Sequence, residues 1–129
     1  MLFIKFIGKV TNNFPKKTYF CLINLYIMKI TIVSGARPNF MKIAPITRAI
    51  KAAQEAGKKI SYRLIYTGRQ DDTSLDASLF SDLDMKKPDG YLGVSGHDQS
   101  EVTAAIMLAF EKELNTHPAQ VVLVVDDLT

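Results

Sequence analysis

Lys29-Ile30-Thr31-Ile32-Val33-Ser34-Gly35-Ala36-Arg37-Pro38-Asn39-Phe40-Met41-Lys42 decides the reading of this 129-residue chain. Four of its first five residues are β-branched and three are apolar, as suits a strand covered on both faces. A short loop from Ser34 leaves that strand and opens a helix expected from about Phe40 to Ala56. Ile43, Ile46, Ala49, Ile50 and Ala53 recur at helical spacing and mark its core face. Pro45 is expected in the first turn, where a missing N–H costs little. A helix start offers unpaired N–H groups and partial positive charge, and Arg37 and Lys42 add full charges beside it. That suits an anion. The plainer reading is that Gly35 only makes the turn while Arg37 and Lys42 are solvated, and the loop alone leaves both open.

Further strands and helices alternate downstream. Gly57 ends the first helix, and Ile60 to Tyr66 reads as a second strand with imperfect alternation. Asp71-Asp72-Thr73-Ser74 offers capping side chains for a short helix around Leu75 to Leu83. Pro88-Asp89-Gly90 is a turn, and Tyr91-Leu92 a minimal third strand. A helix from Gln99 or Ser100 to about Asn115 carries Val102, Ala105, Ile106, Ala109, Phe110 and Glu113 on one side. His117-Pro118 stops it, and Gln120 to Val125 forms a last strand buried on both faces. The pattern predicts an α/β fold, a doubly wound parallel Rossmann-like sheet. In the strand order 3-2-1-4, ligands bind where the first and fourth strands diverge. Gly35 to Lys42 and Asp126 to Thr129 would meet there, with Arg37 and Lys42 facing Asp127.

The loop also carries a resemblance. Gly35-Ala36-Arg37-Pro38-Asn39-Phe40-Met41-Lys42-Ile43-Ala44-Pro45 is similar to the N-terminal signature G-T-R-P-E-x-x-K-x-x-P of the UDP-N-acetylglucosamine 2-epimerases. Gly35, Arg37, Pro38, Lys42 and Pro45 match; Ala36 and Asn39 depart. Thr67-Gly68-Arg69-Gln70 stands where the family has T-G-Q-H, and Val122 to Thr129 where it has a strand ending V-x-G-D-T-T. The resemblance spans Met28 to Thr129. It implies the partial N-terminal domain of a two-domain enzyme of GT-B architecture, an isomerase with its site in the cleft between domains. Such enzymes interconvert UDP-N-acetylglucosamine and UDP-N-acetylmannosamine by eliminating UDP and adding it back. They need no metal or other cofactor, feed bacterial surface-polysaccharide synthesis, and are homodimers at full length.

By the resemblance Gly35, Arg37, Pro38 and Lys42 would bind the UDP-sugar, and Asp127 would be an acid/base carboxylate. Asp126 replaces the family's glycine, and Gln70 its histidine, so no proton-transfer role passes to Gln70. Hydrolysing epimerases, GT-B glycosyltransferases and a non-catalytic α/β binding module are the alternatives. A chain stopping at Thr129 reads as a fragment that is inactive alone.

Composition separates residues 1–27 from residues 28–129. The first segment holds Lys5, Lys9, Lys16 and Lys17, no acid, six of the twelve aromatics and the one cysteine, Cys21. Taking those four lysines from sixteen basic residues leaves twelve against thirteen acids. The net charge of +3 therefore belongs to the leader and makes no case for nucleic acid. Residues 1–27 read as a non-native upstream extension from a misplaced start, or a disordered or helical leader. A signal peptide is the competing reading, from Lys16-Lys17 before the apolar run Tyr19 to Met28. That run is shorter than the ~20 residues of a membrane span. A single cysteine fits a reducing cytoplasm. No histidine–carboxylate set has metal-ligand spacing, and neither G-x-G-x-x-G nor a P-loop occurs.

Overall fold

The computed structural model of the chain describes residues 2–6, as backbone, and 27–125. The elements are β1 (Leu2–Phe6), β2 (Met28–Ser34), α1 (Arg37–Glu55), β3 (Ile60–Tyr66), α2 (Ala77–Asp82), β4 (Gly90–Tyr91), α3 (Gln99–Thr116) and β5 (Val121–Val125). The strands form one sheet in the order β1-β5-β2-β3-β4. β5, β2, β3 and β4 are parallel, which is the expected 3-2-1-4 arrangement. Ile32 stands opposite Leu64 on one side and Leu123 on the other.

The two faces of the sheet are divided between α1 and α2 on one side and α3 on the other. Ile32, Leu64, Tyr66, Leu123 and Val125 share one cluster with Phe40, Ile43 and Ile50 of α1 and with Leu79 and Phe80 of α2. Phe40 sits edge-on to Phe80, ring centroids 5.3 Å apart. The alternate residues Thr31, Val33 and Ile65 are also buried, and α3 lies over their face. There the Arg63 guanidinium of β3 donates to the Glu113 carboxylate of α3, and His117 Nδ1 lies 3.3 Å from the same oxygen. No residue of α3 is fully buried. Its half-buried side is the expected Val102, Ala105, Ile106, Ala109, Phe110 and Glu113.

Three local expectations are corrected. α1 starts at Arg37 with Pro38 in its first turn, so Pro45 lies inside the helix. Pro45 and Met41 are both exposed, and water can take the Met41 carbonyl that proline leaves without an i+4 donor. Ala49 is exposed and Thr47 buried; the Thr47 hydroxyl donates to the Ala44 carbonyl at 2.9 Å, which satisfies it inside the core. Asp76, not the Asp71–Ser74 run, caps α2, its carboxylate accepting from Leu79 N–H at 3.0 Å.

The leader differs too. The sequence predicts a disordered or helical stretch, whereas the backbone of Leu2–Phe6 is a strand antiparallel to β5, with Ile4 opposite Leu123. β5 is Val-Val-Leu-Val-Val, and a second neighbour covers the edge that β2 leaves open. Residues 7–26 lie outside the described residues.

The ion pair on α3 is expected to carry much of that helix's attachment, because its apolar contact is shallow. Glu113→Ala should lower stability by about 1–3 kcal/mol, as loss of one partner leaves the Arg63 charge half-buried. Amide exchange should rise first in α3. A change within about 0.3 kcal/mol in denaturant unfolding would show that apolar contact alone holds the helix.

Candidate functional site

The four parallel strands end on one edge, and the loops leaving them build the candidate site. The loop after β2 is fixed by Asn39, which is 4% exposed. Its side-chain oxygen accepts from Gly35 N–H at 3.0 Å and Ala36 N–H at 2.8 Å. Its amide nitrogen donates to the Val125 carbonyl at the end of β5, 3.3 Å away. The Asn39 N–H itself donates to the Ala36 carbonyl at 3.1 Å, and Pro38 has no N–H. The Gly35 and Ala36 amides are therefore turned inward, onto Asn39. What this loop presents outward is charge on side chains: Arg37 and Lys42 are exposed, as is Pro38, and Gly35 is half-buried.

Arg37 faces the start of α2. The Asp76 carboxyl is held below the usual range by the Ser78 hydroxyl, then the Leu79 N–H, with a smaller contribution from the Arg37 charge. The catalytic candidate Asp127, with Asp126, lies outside the described residues.

Beside this loop, between the ends of β2, β3 and β4, is a cleft of about 480 Å³. Gly35, Gly68, Arg69, Asp72, Ser95 and Ile106 are among its lining residues. Of the sequence-derived candidates among the described residues, only Gly35 lines it. The expected crevice lies across β2, on the β5 side.

The floor of the cleft is braced. Thr67 N–H donates to the Ser34 carbonyl at 2.9 Å, and Val94 N–H to the Thr67 carbonyl at 3.0 Å. These bonds extend the β2–β3–β4 pairing past the strand ends. Tyr66 O–H donates to Asp72 at 2.6 Å. The second Asp72 oxygen accepts from Ser74 N–H at 2.9 Å. Burial pushes the Tyr66 phenol up to about 12, helped by the Asp72 bond and charge. The same phenol bond, then Ser74, holds the Asp72 carboxyl below its usual range. Gly68 is required by contact: a Cβ there would lie 2.6 Å from Tyr66 Cε1. The ring cannot easily yield, being packed against Phe40 and Tyr91 with centroids 5.9 Å and 6.3 Å away. Sequence reasoning missed Tyr66 and Asp72. Their signal was a tyrosine at a strand end followed six residues later by an aspartate. Arg69 is tied to Asp71 by two contacts of 2.9 and 2.7 Å and is exposed.

No family model matches the chain. Two curated relatives and one solved complex decide the comparison. UDP-N-acetylglucosamine 2-epimerase of Methanocaldococcus jannaschii is 28% identical over 100 residues, 78% of this chain and 26% of its own length. UDP-2,3-diacetamido-2,3-dideoxy-D-glucuronate 2-epimerase of Pseudomonas aeruginosa is 29% identical over 100 residues, 78% of this chain and 27% of its own. The crystal structure of the M. jannaschii enzyme, in complex with UDP-GlcNAc and UDP, superposes with a TM-score of 0.58. It is 26% identical over 71% of this chain and 24% of that one.

The chain resembles the UDP-N-acetylglucosamine 2-epimerases.

It spans about a quarter of the length of those epimerases, matching their N-terminal part. A second crystal structure of a UDP-N-acetylglucosamine 2-epimerase shares the fold, with a TM-score of 0.61 at 22% identity over 73% of this chain and 25% of that one. The likeness to epimerases agrees with the signature on Gly35 to Pro45 and with the parallel α/β fold. No helix among the described residues is long and apolar enough to cross a membrane.

Gly68→Ala is expected to push the Tyr66 ring off Asp72. The raised phenol stabilises the fold fully below its ordinary value of 10 and loses that contribution as pH rises through about 12. In the alanine variant Tyr66 should ionise nearer its ordinary value of 10, so that little of this contribution remains at any pH. Phenolate absorbance against pH measures it, and an unchanged late-titrating tyrosine would refute the contact argument.

Proposed function

We propose that residues 28–129 are the N-terminal part of the first domain of a UDP-sugar 2-epimerase of GT-B architecture, and that 1–27 is an appended leader. The observation that carries this is the 26% identical superposition on an epimerase solved with UDP-GlcNAc and UDP. The loop carrying Arg37 and Lys42 adds support, because it leaves β2 at the sheet edge where such folds bind ligands. The substrate class is UDP-2-acetamido sugars. Relatives of nearly equal identity act on UDP-N-acetylglucosamine and on a UDP-diacetamido-glucuronate, so the diphosphate and the 2-acetamido group are the shared handle. The reaction is non-hydrolysing epimerisation between UDP-N-acetylglucosamine and UDP-N-acetylmannosamine, serving bacterial surface-polysaccharide synthesis in the cytoplasm. The full-length enzyme is a homodimer.

Arg37 and Lys42 hold the diphosphate and sugar by charge-assisted bonds, with Gly35 and Pro38 shaping the turn between them. Asp127 acts as acid or base near C2. The proton on C2 is weakly acidic, so a positioned base and stabilisation of the departing UDP are what the site must supply.

Arg37→Ala should weaken UDP binding by ~10-fold, about 1.4 kcal/mol, at an unchanged melting temperature. Titrating both proteins with UDP by NMR checks this, and equal affinities would defeat the role of the loop. The described sheet gives one wall of a cleft, and turnover needs positioning and water exclusion from both sides. The 129-residue chain is therefore expected to leave UDP-N-acetylglucosamine unconverted over hours; formation of the manno epimer, seen by NMR, would overturn that.

A further inference from the structure

One buried side chain joins the loop after β2 to the end of β5. Asn39 is the third residue of α1. Its oxygen accepts from Gly35 and Ala36, on the loop after β2. Its NH₂ donates across to Val125, the last residue of β5. β2 and β5 are parallel neighbours, so this carboxamide spans the point where the chain diverges to the two sides of the sheet.

The chemistry of the bridge needs an amide. Two N–H groups must be accepted at one end and an N–H must be donated to a carbonyl at the other. A carboxylate could accept both N–H groups but would turn a negative oxygen toward the Val125 carbonyl. The epimerase signature has glutamate at this position, and a carboxylate of any length lacks the donor. The bridge is thus a property of this chain's own sequence. In a buried position each of these groups is costly to leave unpaired, so the geometry is held firmly.

The structure assigns Asn39 as a positioning residue: it fixes the loop that carries Arg37 relative to the backbone from which Asp126 and Asp127 continue. This rests on the reading of the site given above. A cation on one loop and a carboxylate on the other must keep a set spacing to act on one substrate, and a displacement of 1 Å can cost ~10²-fold in rate. Asn39 acts through the backbone it bonds on either side, Gly35 and Ala36 on one and Val125 on the other.

Two variants of the full chain separate the two ends of the bridge. Asn39→Asp keeps the acceptor and loses the donor; Asn39→Ala loses both. Ala also keeps the test standing if the buried charge of N39D prevents folding. Amide exchange and backbone NMR shifts are read together with UDP affinity. In N39D, Gly35 and Ala36 should stay protected while the resonances of Asp126 and Asp127 move. In N39A, protection of Gly35 and Ala36 should also fall by ~10-fold or more. UDP binding should weaken at least ~5-fold in each folded variant. A purely structural asparagine would instead change all exchange rates in proportion to global stability. Unmoved Asp126 and Asp127 resonances in both variants would overturn the bridge, and unmoved UDP affinity would overturn its positioning role. Failure of the unaltered chain to bind UDP would sink the site reading instead, while the resonances still decide whether Asn39 sets the two loops.

Discussion

β2 is paired on both edges and covered on both faces, and the architecture follows from satisfying that one strand. Its register runs from Met28 opposite Ile60 to Ser34 opposite Tyr66, and from Ile30 opposite Val121 to Val33 opposite Val124. Parallel pairing on both sides forbids tight hairpins, so the chain must leave and return through crossovers. α1 and α3 lie in those crossovers, and right-handed connections place them on opposite faces. Buried Ile32 and Leu64 then pack with α1, while α3 meets the other face through the Arg63–Glu113 pair. A second consequence is positional. In this register the strands end level, so Gly35, Thr67 and the Val125 end of β5 come out on one edge. The candidate site is where it is because of backbone hydrogen bonding, before any side chain contributes.

Much of this was legible because it depends on period and punctuation. The apolar runs of β2 and β5, the helical spacing of Ile43 and Ile50, and Gly57 after α1 each report a local physical need. The order of the strands follows from the chirality rule. What sequence reasoning lost were choices made by contact between distant segments. Thr47 and Ala49 sit two residues apart on α1, and apolarity favours burying the alanine. The threonine is buried because its hydroxyl finds a carbonyl within its own helix. Asp72 resembled a helix cap and is instead the partner of Tyr66, a pairing that needs the loop to fold back on its strand. β1 could not be anticipated, since its reason lies in the edge of a strand more than a hundred residues later. Asn39 was read as a departure from a motif. Its value appears only when β5 is beside α1.

The inward turn of the Gly35 and Ala36 amides changes the electrostatics of anion recognition on the proposed reading. A loop whose N–H groups converge on a phosphate supplies fixed dipoles that need no reorganisation. Here those dipoles converge on Asn39, so on that reading recognition would fall to the Arg37 and Lys42 side chains. Both are exposed, so their fields are screened beyond about 8 Å at physiological ionic strength. A diphosphate held this way binds weakly until something else excludes water, when the same charges act in a lower dielectric. The epimerases that this chain resembles are about four times as long as the matched region. A second wall closing over Arg37 would supply that exclusion, and the rigid Asn39 bridge would hold the charges in place meanwhile.

The cleft beside the loop is built asymmetrically, and its mechanics follow from that. Its floor belongs to the sheet: Thr67 and Val94 are bonded in series from Ser34, and Tyr66 is locked between Phe40, Tyr91 and Gly68. One wall is Val102 and Ile106 of α3, a helix with no fully buried residue. Shallow apolar contact gives that wall a low local opening free energy relative to the sheet. The Arg63–Glu113 pair lies toward the far end of α3 from Val102, so it anchors the helix near its C-terminus. The N-terminal turn is held by the Asp98 cap and by Val102 against Gly96, where an added Cβ would meet Val102 Cγ2 at 3.0 Å.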